Sequence, residues 1–311
     1  MYYPYLRGKQ FELLLVRENV ALIKENDIHP IIEPVNTNFK AIGRALNELN
    51  KLEVEYVLII NPKEGENPVR QDDILSKLYE VFIRDHKNVR MGYIVDAKSD
   101  IDSMTKVLDK YIEMPFSIIH YGYPNGKELA KILSGYENIQ ENIFIETYAR
   151  KLYQKSIKRD SVKNILIRDG FKRQKKNALY PESEHFSDLP ATYTDESMDD
   201  FGDFLIVGDD YSESGGPAWA VAIHLTYIGN DDAMYIYHFV SDQTNSPTDP
   251  GGKFFEALSK LVAKVSEKNS PISKTEACKE FQALHRKGHY PGLGYVKKLS
   301  MKHHLELIAG L

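Results

Sequence analysis

At 311 residues and 42% hydrophobic, the chain is long enough to bury a substantial α/β core. A net charge of −5 excludes a global attraction to nucleic acid or to an anionic membrane, so any such contact must come from a local basic patch. The single cysteine, Cys278, excludes an intramolecular disulfide and a cysteine-rich zinc site, and no apolar run approaches the ~20 residues that span a bilayer.

Residues 3–6 are the first strand candidate. Residues 11–24 follow with an apolar stripe of Phe11, Leu14, Leu15 and Leu22, which predicts a helix. A strand over 29–34 ends in Glu33-Pro34, and a helix over 38–52 carries Ala41, Ile42, Ala45, Leu46 and Leu49 at helical spacing. The same beat repeats four times. Strand 56–60 stops at Asn61 and gives way to a helix over 72–84 that Asp72 caps. Strand 89–95 stops at Asp96, before a helix over 100–111. Strand 116–120 ends in His120; Asn125 then caps a helix that Gly135 stops. Strand 142–146 ends in Glu146, before a short basic helix over 148–158. Strand 162–167 ends at Arg168-Asp169, and residues 204–207, before Gly208-Asp209, are the eighth candidate.

Eight βα units is the count of a closed (β/α)8 barrel. Uninterrupted apolar runs suit parallel strands covered on both faces. An open doubly wound sheet gives the same local pattern, and the count favours a TIM-barrel-like α/β fold. Residues 170–200 break the beat and read as a long mouth loop. Residues 218–227 and 234–240, joined near Gly229-Asn230-Asp231-Asp232, read as a β-hairpin insertion within 215–240. Three helices follow, over 252–266, 274–285 and 293–308. The expected organisation is one domain over 1–311. The opening Met1-Tyr2-Tyr3-Pro4 lacks a signal-peptide pattern, so a cytoplasmic setting is expected.

In barrels the chemistry sits at the C-terminal strand ends. Glu33, Asp96, His120 and Glu146 are therefore the catalytic candidates, with a carboxylate as base and His120 as acid. Glu33, Asp96, Glu146 and Asp169 could hold Mg²⁺ or Mn²⁺, which take oxygen ligands. Arg7, Lys9, Asn61, Arg168 and His224 are the substrate-binding candidates, the cations suiting a phosphate or carboxylate. The basic run Lys172-Arg173-Gln174-Lys175-Lys176 could touch a nucleic-acid backbone, although the net charge does not favour it. Ser214-Gly215-Gly216-Pro217 reads as a turn, and Cys278 as a small packed thiol.

The opening Tyr3-Pro4-Tyr5-Leu6-Arg7-Gly8-Lys9-Gln10-Phe11-Glu12 and the segment Pro30-Ile31-Ile32-Glu33-Pro34 resemble the start of the "beta protein" family of bacteria and phages. Phe201-Gly202-Asp203-Phe204, Ala220-Val221-Ala222-Ile223-His224-Leu225-Thr226-Tyr227 and His303-His304 are also similar to that group. The resemblance implies a barrel-like α/β fold and a gene found among mobile-element or phage-defence genes. It draws interest to Arg7, Lys9, Glu33, Asp203 and His224 without implying a reaction. Two readings stay open. One is a metal-assisted hydrolase of a phosphate ester or nucleotide, bound as an anionic small molecule. The other is a non-catalytic sensor or subunit that binds a partner protein from the same operon, such as a nuclease, with no membrane role.

Overall fold

A computed structural model of the chain describes residues 1–65, 69–212, 216 and 218–311. The elements in order are β1 (Tyr2–Leu6), α1 (Gln10–Glu18), α2 (Val20–Glu25), β2 (Ile31–Ile32), α3 (Lys40–Lys51), β3 (Tyr56–Ile59) and α4 (Gln71–Ile74). A π-helical stretch, Leu75–Ile83, continues α4. Then come β4 (Val89–Asp96), α5 (Ile101–Lys110), β5 (Phe116–Tyr121), α6 (Gly126–Leu133), β6 (Ile139–Ile145), α7 (Lys151–Ile157) and β7 (Lys163–Ile167). The chain finishes with β8 (Ser183–Ser187), α8 (Leu189–Thr192), β9 (Asp200–Asp203), β10 (Ala222–Ile228), β11 (Met234–Val240), α9 (Pro250–Ser266), α10 (Glu276–Lys287) and α11 (Leu293–Ala309).

The chain folds as two compact units, Met1–Asp169 with Thr192–Asp203 and Gly170–Ala191 with Phe204–Leu311. Each unit is thus interleaved with the other in sequence.

The first unit is a closed barrel of eight strands in the order β1-β2-β3-β4-β5-β6-β7-β9. Every pairing in it is parallel, from Tyr5 opposite Ile31 round to Ile167 opposite Gly202 and Tyr3 opposite Gly202. The (β/α)8 architecture expected from the strand count is therefore present. Val57, Leu58, Ile59, Ile118, Ile119, Ile143, Phe144 and Ile165 are fully buried, as strands covered on both faces require.

The last barrel strand differs from the expectation. It is Asp200–Asp203, while Leu205–Val207 form a turn in which Leu205 has φ +48°. The apolar run misled because the seam strand is polar at both ends yet wholly buried. Each of its aspartates meets a distant partner: Asp200 pairs with the N-terminal ammonium at 2.6 Å, and Asp203 accepts a hydrogen bond from the Tyr2 hydroxyl at 2.6 Å. Two further boundaries shift. The helix expected over 11–24 breaks at Asn19, whose side chain donates to the Leu15 carbonyl. The second strand shortens to Ile31–Ile32.

The second unit has its own sheet, in the antiparallel order β10-β11-β8. The expected hairpin is β10 and β11. It is more than an appendage, because β8 from the supposed mouth loop pairs with β11, and α9, α10 and α11 cover one sheet face. Ile223, Leu225, Phe254, Leu258, Leu261, Phe281 and Leu299 form that core. Cys278 lies in it, and burial pushes its thiol pKa up, as for an inert packed side chain. Of the glycine-containing turn before Ala218, Ser214, Gly215 and Pro217 lie outside the described residues. No helix among the described residues is long and apolar enough to cross a membrane.

Candidate functional site

The first strands deliver Tyr5 and Arg7 to the C-terminal end of the barrel, and Glu33 follows β2 onto the same rim. Gly8 makes their approach possible. Its φ is +61°, and a Cβ there would sit 2.9 Å from the Glu33 carbonyl oxygen. Glu33 is 0% exposed. Its Oε2 accepts from the Tyr5 hydroxyl at 2.8 Å and lies 3.3 Å from Arg7 Nε. Its Oε1 accepts the backbone N–H groups of Lys63 at 2.8 Å and Glu64 at 3.3 Å. Both carboxylate oxygens are thus committed to holding three mouth segments together. This is the environment of a structural anchor rather than of a base awaiting a substrate proton.

The other predicted residues are distributed differently. Asn61 acts as a piece of strand: its amide donates to the Ile94 carbonyl at 2.9 Å and its Oδ1 accepts the Ile94 N–H at 2.8 Å. Asp96 closes its own turn, accepting from Lys98 N–H at 2.8 Å and from Ser99 Oγ at 3.0 Å. Glu146 is gripped by Arg168, whose Nε and Nη2 donate to it at 2.6 and 2.8 Å, and Arg168 also reaches Glu196 at 3.0 Å. Lys9 begins α1, where its backbone N–H donates to Glu12 Oε2 at 3.3 Å. Asp169 ends the first unit, and His224 belongs to the second.

His120 corrects the expectation of an acid at the mouth. Alternation along β5 turns Ser117 and Tyr121 inward, where they meet Glu141 and Tyr5, and turns His120 toward the helices. There its Nδ1 pairs with the Tyr153 hydroxyl at 2.8 Å, its Nε2 with Asn142 Oδ1 at 3.2 Å, and its ring stacks on Phe144. Burial pushes its pKa down to about 3, so it is neutral at pH 7. The unfolded chain protonates this imidazole below about pH 6.5 and the native chain only near 3. Native stability should therefore fall on acidification through that window, by about 1.4 kcal/mol per pH unit from this group. His303, held down to about 4 mainly by burial, adds to the slope above that pH. Urea midpoints measured from pH 7 to 4 test this. His120→Gln should flatten the fall, and an unchanged slope would mean that the buried ring is not its source.

Three of the four carboxylates expected to hold Mg²⁺ or Mn²⁺ are engaged by protein groups. Glu33 spends both oxygens on protein donors, Asp96 is tied into its turn and Glu146 is paired with Arg168. Among the described residues no three His, Cys, Asp or Glu side chains gather to hold a metal.

What the strand-end reading missed is a cation and an aromatic rim. Lys63, two residues beyond Asn61, places its ammonium 4.2 Å from the Tyr121 ring centre and 5.7 Å from that of Tyr148. It also lies 3.1 Å from a Glu64 carboxylate oxygen. Tyr121 packs on Tyr148 at 5.3 Å, and Tyr148 is 46% exposed. The signal available in sequence was Lys63 itself, one position past the proline that follows the strand end.

At the opposite end of the barrel a cleft of about 930 Å³ lies before β2, β3 and β4, lined by Lys24, Asp27, His29, Glu55 and His86 among others. Inside that end, Glu141 accepts from Tyr3 at 2.9 Å and from Ser117 at 2.6 Å, and Arg90 lies 3.2 Å away. Polar plugs at the N-terminal face of such barrels serve stability. Compared with protein-family models, with curated proteins and with solved structures, the chain matches none.

Proposed function

We propose that the barrel mouth recognises an anionic small molecule bearing a flat ring, with a nucleotide as the class that supplies both features. The protein then serves as a cytoplasmic sensor or subunit in a phage-defence or mobile-element system, the setting implied by the resemblance to the beta protein family. The observation that carries this reading is the Lys63 ammonium resting on the Tyr121–Tyr148 rim.

Magnitudes favour Lys63 over Arg7 as the binding cation. Breaking the buried Arg7–Glu33 pair costs about 3–5 kcal/mol. The Lys63–Glu64 pair is partly exposed and contributes at most about 1 kcal/mol, and an exposed cation–π contact about 0.5–1 kcal/mol. A phosphate can therefore draw Lys63 away cheaply and gain a stronger charge-assisted hydrogen bond. Tyr148 offers a face for the ring. Hydrolysis at this mouth has less support, because Glu33 is saturated and His120 faces away from it.

Thermal unfolding with a nucleotide panel tests the reading, since a ligand that binds only the native state raises the melting temperature. A nucleoside phosphate should raise it in the unaltered protein. Lys63→Ala and Tyr148→Ala should each remove the shift while leaving the ligand-free melting temperature within a few degrees. A shift that survives both substitutions, or no shift with any nucleotide, defeats the proposal. Nucleotide turnover that is abolished by Lys63→Ala would replace recognition with catalysis.

A further inference from the structure

The second unit holds a chain of titratable groups that the barrel mouth does not use. His224 on β10 and His238 on β11 are directly opposite in the hairpin register. Their neighbours Ile223 and Phe239 belong to the helical core, so alternation puts the two imidazoles on the other face of the sheet. Their Nδ1 atoms are 2.7 Å apart, and His238 Nε2 is 3.1 Å from Glu184 Oε1 on β8. Tyr180 stacks on His238 with ring centres 4.5 Å apart, and Phe171 meets His224 edge-on at 5.1 Å. Lys172 lies 3.5 Å from the other Glu184 oxygen, and Lys297 acts electrostatically on His224. The Nε2 of His224 hydrogen-bonds to no described residue.

Elementary bookkeeping fixes the protons. An ionised carboxylate only accepts, so His238 Nε2 must carry a hydrogen and donate it to Glu184. A neutral His238 then has a bare Nδ1, which must accept. His224 Nδ1 therefore carries the other hydrogen, and His224 Nε2 is left with its lone pair. Burial holds both imidazoles below the usual histidine range, with each ring's neighbours modifying the effect, so the neutral forms prevail at pH 7.

We infer that Glu184 and His238 are positioning residues that orient His224 as the general base of a second site, one that acts on an ester carrying negative charge. Water, or a substrate hydroxyl, gives its proton to His224 Nε2 as its oxygen forms a bond to the electrophilic centre. The ester bond breaks, and the departing alkoxide takes that proton back. The transient imidazolium keeps its Nδ1–H on His238, whose Nε2–H remains on Glu184, so the positive charge faces a carboxylate through two hydrogen bonds. Lys172 and Lys297 suit the charge of the substrate. This site stands apart from the proposal for the barrel mouth and survives its failure.

Glu184→Gln makes the test specific. A glutamine can donate to His238 Nε2, which would move the hydrogens along the chain and leave one on His224 Nε2. Nitrogen-15 spectra of the imidazoles should show His224 as the Nδ1–H tautomer in the unaltered protein and as Nε2–H in Glu184→Gln. Diethyl pyrocarbonate, an acylating probe of unprotonated imidazole, should modify His224 roughly ten-fold more slowly in Glu184→Gln, the size expected for loss of an orienting partner. Glu184→Asp should recover part of the rate. An Nε2–H tautomer of His224 in the unaltered protein overturns the inference, as does an acylation rate indifferent to Glu184→Gln.

Discussion

Replacing Glu33 with Gln should destabilise the protein by about 3–5 kcal/mol, the usual cost of removing one partner of a buried ion pair. The substituted amide can still accept the Lys63 and Glu64 N–H groups through its oxygen. Its nitrogen would then face the Tyr5 hydroxyl and the Arg7 guanidinium, where Oε2 now accepts from Tyr5 and sits 3.3 Å from Arg7 Nε. A cation that is 4% exposed would lose the charge opposite it. Urea unfolding measures the effect as a lower midpoint at an unchanged slope. Glu146→Gln is the matched control. Its ion pair with Arg168 is partly exposed, and the loss should be about 1 kcal/mol or less. If Glu33→Gln were as mild as the control while abolishing nucleotide binding, Glu33 would be a ligand contact rather than the anchor of the mouth.

Gly202→Ala should cost about 3 kcal/mol or more, because it strikes the seam that closes the barrel. Gly202 pairs with Tyr3 on one side and Ile167 on the other. A Cβ there would fall 2.0 Å from the Tyr3 carbonyl oxygen and 2.6 Å from Ile167 Cδ1. The first obstacle is backbone, so rotamer changes do not relieve it. Gly135→Ala adds a Cβ whose nearest neighbour is 3.4 Å away, at a turn, and should change stability by less than about 1 kcal/mol. Thermal unfolding of both variants followed by circular dichroism decides the matter. Equal melting temperatures would mean that the seam opens without cost.

The barrel was legible in sequence because parallel strands covered on both faces carry short uninterrupted apolar runs, and seven of the eight contain one. Asp200–Asp203 does not. Its aspartates are held by the N-terminus and Tyr2, partners about two hundred residues away that no local pattern encodes. The rim was legible in part. Glu33, Asn61, Asp96 and Glu146 do follow the strands as read, but what each side chain does depends on its facing partner. His120 shows the limit most directly: it ends an apolar run, yet a one-residue step in a strand moves a side chain to the opposite face. The unit built on β8, β10 and β11 was hidden because β8, Ser183-Glu184-His185-Phe186-Ser187, has little apolar content and takes its place through β11. His224 stands among the substrate-binding candidates, but Glu184 lies in a segment that reads as a loop.

The interleaving of the two units bears on how the chain folds as it is made. The ribosome delivers β8 before β9, so the barrel still lacks its closing strand when the first strand of the other unit appears. That strand must then wait for β11, which begins at Met234. A chain halted after Asp203 would hold every barrel strand yet carry β8 with no sheet to join, and unpaired strand edges invite association between chains. The protein should therefore tolerate truncation poorly on either side of these crossings. Its late-made hairpin completes a sheet that the nascent chain has already begun.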